Sequence, residues 1–202
     1  IRARMEGPWE APAPRFETLV GEYEGKRFNS PNDVAPRANG DLYFTDPPYG
    51  LQGGNEEKEL DFQGVYRLAA SGSLTLLTDE LSRPNGIAFS PDQSILYVAN
   101  SDGANQPVVM AYDVESDGGI SNDRVFFESW GDGMAVDQEG NVYVTGPSGG
   151  VLIINADGEL LGTLLMPPRT SNATFGEDGS TLFVTANTRL VRIRLNVKGV
   201  GF

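Results

Sequence analysis

The sequence predicts an all-β fold, a β-propeller of four-stranded antiparallel blades, on three observations. The first is a repeat. Four stretches align: SPNDVAPRANGDLYFTD (30–46), RPNGIAFSPDQSILYVAN (83–100), GDGMAVDQEGNVYVTG (131–146) and TSNATFGEDGSTLFVTAN (170–187). In each, a polar residue opens a short apolar strand, a polar turn follows, and an aromatic-centred strand closes the unit. The opening polar residues are Asn32, Asn85, Asp132 and Ser171, spaced 53, 47 and 39 apart. The aromatics are Tyr43, Tyr97, Tyr143 and Phe183, always 11 or 12 residues further on. The second observation is a third β-like run after each aromatic strand: GVYRL (64–68), VVMAY (108–112), GVLII (150–154) and RLVRIRL (189–195). The first three repeats add a fourth run, LTLLT (74–78), RVFFE (124–128) and LLGTLLM (160–166). The third observation is negative: no segment sustains a helical 3.6-residue period.

A repeat of this size cannot bury both faces of its sheet alone, so neighbouring sheets must pack face to face. A β-sandwich is the competing all-β architecture, but it does not predict matched polar residues at one point of every repeat. Glycine (25) and proline (13) supply the turns. Ahead of the first repeat only IRARM (1–5) and FETLV (16–20) have strand character. The acidic NEEKELD (55–61) reads as a solvated loop. Asp113 to Gly118 begins like a calcium loop, yet its twelfth position is Arg124 rather than Glu, so it reads as a hairpin turn. The last repeat has three strands and ends in NVKGVGF. Two closures are open: FETLV completes that repeat in a small four-bladed ring, or the chain is the C-terminal part of a larger propeller with exposed sheet edges. Residues 1–202 are expected to form a single propeller domain.

Composition narrows the chemistry. The chain has no cysteine and no histidine. That excludes disulfides, thiolate nucleophiles, imidazole-ligated zinc and a Ser-His-Asp relay. Fifteen basic against 28 acidic residues leave a net charge of −13. Such a surface repels phosphate backbones and anionic lipid, so neither nucleic acid nor membrane is expected as a partner. No apolar run approaches the ~20 residues of a membrane span. The protein is expected to be soluble, cytoplasmic or periplasmic. The chain opens at Ile1 rather than Met, so targeting signals are not legible in it.

In a propeller the first strand of each blade lines the central channel, so residues opening those strands converge at its mouth. Asn32, Asn85, Asp132 and Ser171 would then form an all-oxygen ring suited to a hard divalent cation such as Ca²⁺, Mg²⁺ or Mn²⁺. The plainer reading is that Asn and Asp at strand starts make Asx-turns with the backbone. Tyr49, after Pro47 and Pro48, is placed to shape a pocket wall or simply to pack a rigid loop. Asn172-Ala-Thr174 fits a glycosylation sequon, a frequent chance match.

SPNDV (30–34), YFTDPPYGLQ (43–52), RPNGIAFSPD (83–92), DGMAVDQEGNVYV (132–144) and LFVTANTRLVRIRLNVKG (182–199) resemble, in this order, the gluconolactonase branch of the SMP-30/gluconolactonase/luciferin-regenerating-enzyme family. The resemblance runs from about Glu24 to the end. It implies a six-bladed propeller, of which about four blades are present here, with one divalent metal at the channel mouth. Ca²⁺ is the first expectation, with Mg²⁺, Mn²⁺ or Zn²⁺ allowed. It implies hydrolysis of a small-molecule sugar lactone, with Asn85 and Asp132 as metal ligands. Without histidine the general base is a carboxylate or the metal-bound hydroxide, and Asp132 is the best placed carboxylate. For Asn32 the resemblance implies a substrate or outer metal contact; Ser171, Asn172 and Tyr49 are expected to line the substrate pocket beside it. The family's further Glu ligand lies on a blade expected to be missing from the N-terminal side. Glu6 of Met5-Glu6-Gly7-Pro8-Trp9 looks similar but stands only 26 residues before Asn32, too close for that blade, and is not assigned. The truncated chain is expected to be compromised in holding metal and in turnover. Two other functions stay open: a non-catalytic propeller that binds a protein or sugar, and a metal-dependent hydrolase of another ester or an organophosphate.

Overall fold

Strands form here because runs of β-branched and aromatic residues alternate with tight turns rich in Gly, Asp and Asn. The computed structural model describes residues 17–52, 57–146 and 150–202, and every regular element among them is a strand. A small hairpin, β1 (Glu22–Tyr23) and β2 (Lys26–Arg27), comes first. The first blade is β3 (Val34–Pro36), β4 (Leu42–Thr45), β5 (Val65–Leu68) and β6 (Leu74–Thr78). The second is β7 (Pro84–Phe89), β8 (Ile95–Asn100), β9 (Val109–Val114) and β10 (Ile120–Phe127). The third is β11 (Met134–Val136), β12 (Val142–Thr145), β13 (Gly150–Ile154) and β14 (Leu160–Leu165). The fourth has three described strands, β15 (Thr170–Gly176), β16 (Thr181–Ala186) and β17 (Arg189–Arg194). Within each blade the strands pair antiparallel in chain order. The predicted propeller of antiparallel blades is therefore the observed fold.

The blades are joined by apolar seams between facing sheets. Strand alternation sends Tyr43 of β4 toward the second blade, where it meets Phe89 edge to face at 4.9 Å. Its neighbour Phe44 points the other way, into a separate cluster with Phe28, Leu60, Tyr66 and Leu68. Tyr97, Ala99, Val109 and Ala111 of the second blade pack on Met134, Val136, Val142, Val144, Leu152 and Ile154 of the third. Tyr143 and Val151 continue the pattern against Ala173, Phe175, Leu182 and Val184 of the fourth. The recurring aromatic is thus the wedge of each seam, except Phe183, which has no described blade beyond it and lines the channel.

The first strands β3, β7, β11 and β15 lie side by side around an axis. They border an open channel cavity of about 370 Å³ lined by Asp33, Val34, Ile87, Met134 and residues 172–174, with Phe183, Thr185 and Leu190 from the outer strands of the fourth blade. A further cavity of about 320 Å³ continues down the same strands past Ala35, Ala88 and Ala135.

One of the two open closures is decided. FETLV does not complete the fourth blade: Glu17–Val20 are not in a strand, and Val20 packs on the Phe28 cluster of the first blade. Phe16 and the IRARM segment lie outside the described residues. The described part of the acidic run is the expected solvated loop, with Glu57, Glu59 and Asp61 exposed, and it is pinned at two points. Leu60, the one apolar residue there, is buried, and Glu59 accepts the Arg27 backbone N–H at 2.7 Å. The segment from Asp113 does turn as a hairpin between β9 and β10, closed by the Gly118 N–H donating to the Glu115 carbonyl at 2.9 Å. Gly118 takes φ 86°, where a side chain is disfavoured. No helix among the described residues is long and apolar enough to cross a membrane.

Ile154 is fully buried in the seam between the second and third blades. Ile154→Ala should lower stability by about 2–5 kcal/mol through lost burial and the cavity left behind, read as a fall in the urea midpoint at unchanged slope.

Candidate functional site

The four residues that open the first strands occupy equivalent backbone positions. The Asn32 N–H and the Asp132 N–H each donate at 2.9 Å to a threonine carbonyl on the second strand of the same blade, Thr45 and Thr145. Their carbonyls are then used to join blades. Thr45 Oγ1 donates to the Asn85 carbonyl at 2.7 Å. The Gly86 N–H donates to the Asp132 carbonyl at 2.7 Å, and the Gly133 N–H to the Ser171 carbonyl at 3.0 Å. Each blade therefore holds the site residue of the next by its backbone. The two glycines are required at these crossings. A Cβ on Gly86 would collide with the Asp132 carbonyl oxygen, and one on Gly133 with the Asn172 amide oxygen.

Three of the side chains form a relay across the mouth. Asn32 Nδ2 donates to Asn85 Oδ1 at 2.8 Å. Asn85 Nδ2 donates to Asp132 Oδ1 at 2.9 Å and to Ser101 Oγ at 2.8 Å. Ser101 Oγ in turn donates to the Gly131 carbonyl at 2.5 Å. Asn85 is buried, whereas Tyr49 is half exposed with its phenol beside Ser101 and Asn85, within electrostatic reach of Arg83 and Asp132. Trp130, two residues before Asp132, lays its indole against Gly103 and Gly146. A Cβ on Gly146 would sit 2.6 Å from Trp130 Cζ3 and 3.2 Å from the Asp132 nitrogen, so the ring borders the relay.

The fourth blade contributes less. Ser171 Oγ pairs with Thr185 Oγ1 at 2.8 Å, on its own blade rather than across the ring. Asn172 turns its amide oxygen onto the Ala173 N–H at 2.8 Å and lines the channel cavity.

Two participants were not singled out from the sequence. Ser101 bridges Asn85 to the chain just before Asp132. Asp33 follows Asn32 and lines the channel; its carboxylate accepts the Val34 N–H at 2.9 Å and the Ile87 N–H at 3.2 Å. Its equivalents in the other blades are Gly86, Gly133 and Asn172, so repeat matching gives an acid at this position no weight. The adjacency of Asp33 to Asn32 was the available signal.

Burial raises the Asp132 carboxyl above the usual carboxylate range; the Asn85 hydrogen bond opposes this and the charge of Asp33 adds to it. Burial likewise raises Asp33, against its two backbone hydrogen bonds. Burial also raises the Tyr49 phenol, which stays protonated at neutral pH and can donate.

The expected divalent cation, Ca²⁺ before Mg²⁺, Mn²⁺ or Zn²⁺, is overturned. Among the described residues no three or more His, Cys, Asp or Glu side chains gather as a metal-holding group. The physical reason lies in where the oxygens point. Asn85 Oδ1 and Asp132 Oδ1 face amide N–H donors of the relay, and both Asp33 oxygens face backbone N–H groups. Asn85 and Asp132, expected as ligands, are instead hydrogen-bonded to each other. Glu6 lies outside the described residues.

Comparison with known proteins gives a consistent picture. The family described as SMP-30/Gluconolactonase/LRE-like region matches residues 6–188. A gluconolactonase of Zymomonas mobilis subsp. mobilis is 43% identical over 197 residues, covering 90% of this chain and 54% of that protein. A solved gluconolactonase of Xanthomonas campestris superposes with a TM-score of 0.79 at 36% identity, over 88% of this chain and 60% of its own. A second solved structure from a gluconolactonase family gives a TM-score of 0.84 at 34% identity, over 95% of this chain and 67% of its own. The chain spans about half the length of the curated relatives it matches first.

The crossing at Gly86 makes a direct prediction. Gly86→Ala should cost about 1–3 kcal/mol by overpacking, whereas Gly162→Ala, with nothing within 4 Å of the added Cβ, should stay within about 0.5 kcal/mol of the parent; urea denaturation of both variants decides it.

Proposed function

Because the chain belongs to the SMP-30/gluconolactonase/LRE-like family, we propose that it carries the site of a hydrolase that opens a small sugar lactone to its aldonic acid. One observation carries the reading: a half-buried carboxylate, Asp132, held at the channel mouth by the Asn32–Asn85 amide relay. We propose with it that residues 1–202 belong to one propeller domain.

In this mechanism Asp132 is the general base. Its carboxylate takes a proton from a water as the water oxygen attacks the lactone carbonyl carbon. The ring C–O bond then breaks, and the proton passes to the departing ring oxygen to give the hydroxy acid. Asn85 keeps the base oriented by occupying one of its oxygens. Ser101 accepts from the same Asn85 Nδ2 and so fixes the amide that holds the carboxylate. Asn32 and the protonated Tyr49 phenol offer donors for the carbonyl oxygen as negative charge develops on it. Asn172 lines the channel where sugar hydroxyls would be met, and Ser171 supports it from the same strand. Each of these groups is a carboxylate, amide, hydroxyl or phenol, as a histidine-free site requires.

Hydrolysis of D-glucono-1,5-lactone, followed by proton release, tests the reading. Asp132→Ala should reduce kcat/KM at least about 100-fold, the usual share of a general base, and full activity in that variant sinks the assignment. The pH profile gives a second test. The base works only as carboxylate, so the acid limb of kcat/KM should lie above the ordinary Asp value of about 3.9. Asp33→Asn removes the neighbouring charge that helps raise Asp132 and should move that limb to lower pH. A limb that stays in place in Asp33→Asn contradicts the coupling.

A further inference from the structure

The approach to the ring residue is anchored twice by the same device. In the first blade the segment leading to Asn32 passes the end of β4, where Asp46 is fully buried. Asp46 Oδ2 accepts the Asn29 N–H at 2.8 Å and Oδ1 accepts the Ser30 N–H at 2.6 Å. In the second blade Asn100 ends β8 at the equivalent place, and its Oδ1 accepts the Arg83 N–H at 2.7 Å. Ser30 and Arg83 each stand two residues before a ring asparagine, Asn32 and Asn85. Two blades of unlike sequence thus use a buried strand-end acceptor on the same backbone N–H. The third blade has Gly146 there, and Trp130, the counterpart of Ser30, packs its indole on that glycine instead.

The first blade extends the device by one step. Ser30 Oγ accepts the Gly50 N–H at 2.9 Å, next to Tyr49. The chain passes so close that a Cβ on Gly50 would collide with Ser30 Oγ. One buried carboxylate therefore reaches two parts of the mouth, Asn32 through the Pro31 link and the Tyr49 loop through Ser30.

We propose that Asp46 is a positioning residue that sets Asn32 and Tyr49 together, through the Asn29 and Ser30 amides and the Ser30 hydroxyl. It touches no substrate itself. A carboxylate suits the task because two N–H donors arrive from one side; an asparagine offers only one acceptor atom and turns an NH₂ against the other donor. The role of Asn32 and Tyr49 as substrate contacts rests on the lactone-hydrolase reading, whereas the mechanical link does not.

The test has two arms on the full chain. Amide hydrogen exchange is measured for Asp46→Asn, Asp46→Ala and Ser30→Ala. Ser30→Ala should speed exchange at Gly50 alone by about tenfold or more, and Asp46→Ala should do so at Asn29, Ser30 and Gly50 together. Unchanged Gly50 exchange in Ser30→Ala overturns the link, and that variant keeps the test decisive where Asp46→Ala does not fold. The second arm is turnover of D-glucono-1,5-lactone. Ser30→Ala should raise KM about three- to tenfold with kcat within about twofold, since it frees a substrate contact and leaves the base alone. Asp46→Asn should lie between the parent and Asp46→Ala. A fall in thermal midpoint with KM unchanged marks a merely structural carboxylate and overturns the positioning role. Turnover is read in the complete protein; if that opens no lactone, the function reading fails while the exchange arm still decides the link.

Discussion

Everything at the channel mouth depends on how closely successive first strands approach one another. Three backbone-carbonyl contacts define that approach, from Thr45 to Asn85, Gly86 to Asp132 and Gly133 to Ser171. Each uses the main chain of the residue whose side chain forms the ring, so blade packing and site geometry are one constraint. The seams below supply the force: facing sheets exclude water from Tyr43, Tyr97 and Tyr143 and their partners, and the crossings translate that packing into side-chain positions within hydrogen-bond reach. Missing side chains at two of the crossings are as important as those present, because glycine alone lets the backbones meet there.

The chemistry follows from the same closeness. In the proposed reaction, a carboxylate in a chain without histidine has to be made a competent base by its surroundings. Burial at the mouth disfavours the Asp132 charge, and the nearby Asp33 charge disfavours it further. The Asn85 amide moderates both while fixing orientation. The relay donors occupy Asn85 Oδ1 and one oxygen of Asp132. The overall charge of −13 acts at longer range, favouring neutral over anionic molecules in the approach to the mouth.

Much of this was legible in the sequence, for a physical reason. Repeat architecture writes the same packing problem several times, so Tyr43, Tyr97 and Tyr143 recur at nearly constant distance from Asn32, Asn85 and Asp132 while loops vary around them. Strands such as GVLII and LTLLT coincide with β13 and β6 for that reason. What repeats less was less legible. Asp33 has glycines at its equivalents in two blades, and Ser101 belongs to a loop peculiar to the second blade, so register matching is blind to both. The cation failed for a different reason. Residue types set which atoms are available, but only the geometry shows that those oxygens already face N–H donors. FETLV has strand propensity yet stays unpaired, because Val20 finds burial against Phe28 without joining a sheet.

The absence of a side chain at Gly146 has an optical consequence. Trp130 lies in the room left there, and the chain has only one other tryptophan, Trp9. Indole emission shifts with the polarity around it, and the ring lies on Gly103 and Gly146, beside the backbone that leads into Asp132. The molecule therefore carries its own fluorophore next to the mouth. Its spectrum records the wetting of the mouth in solution, without label or turnover.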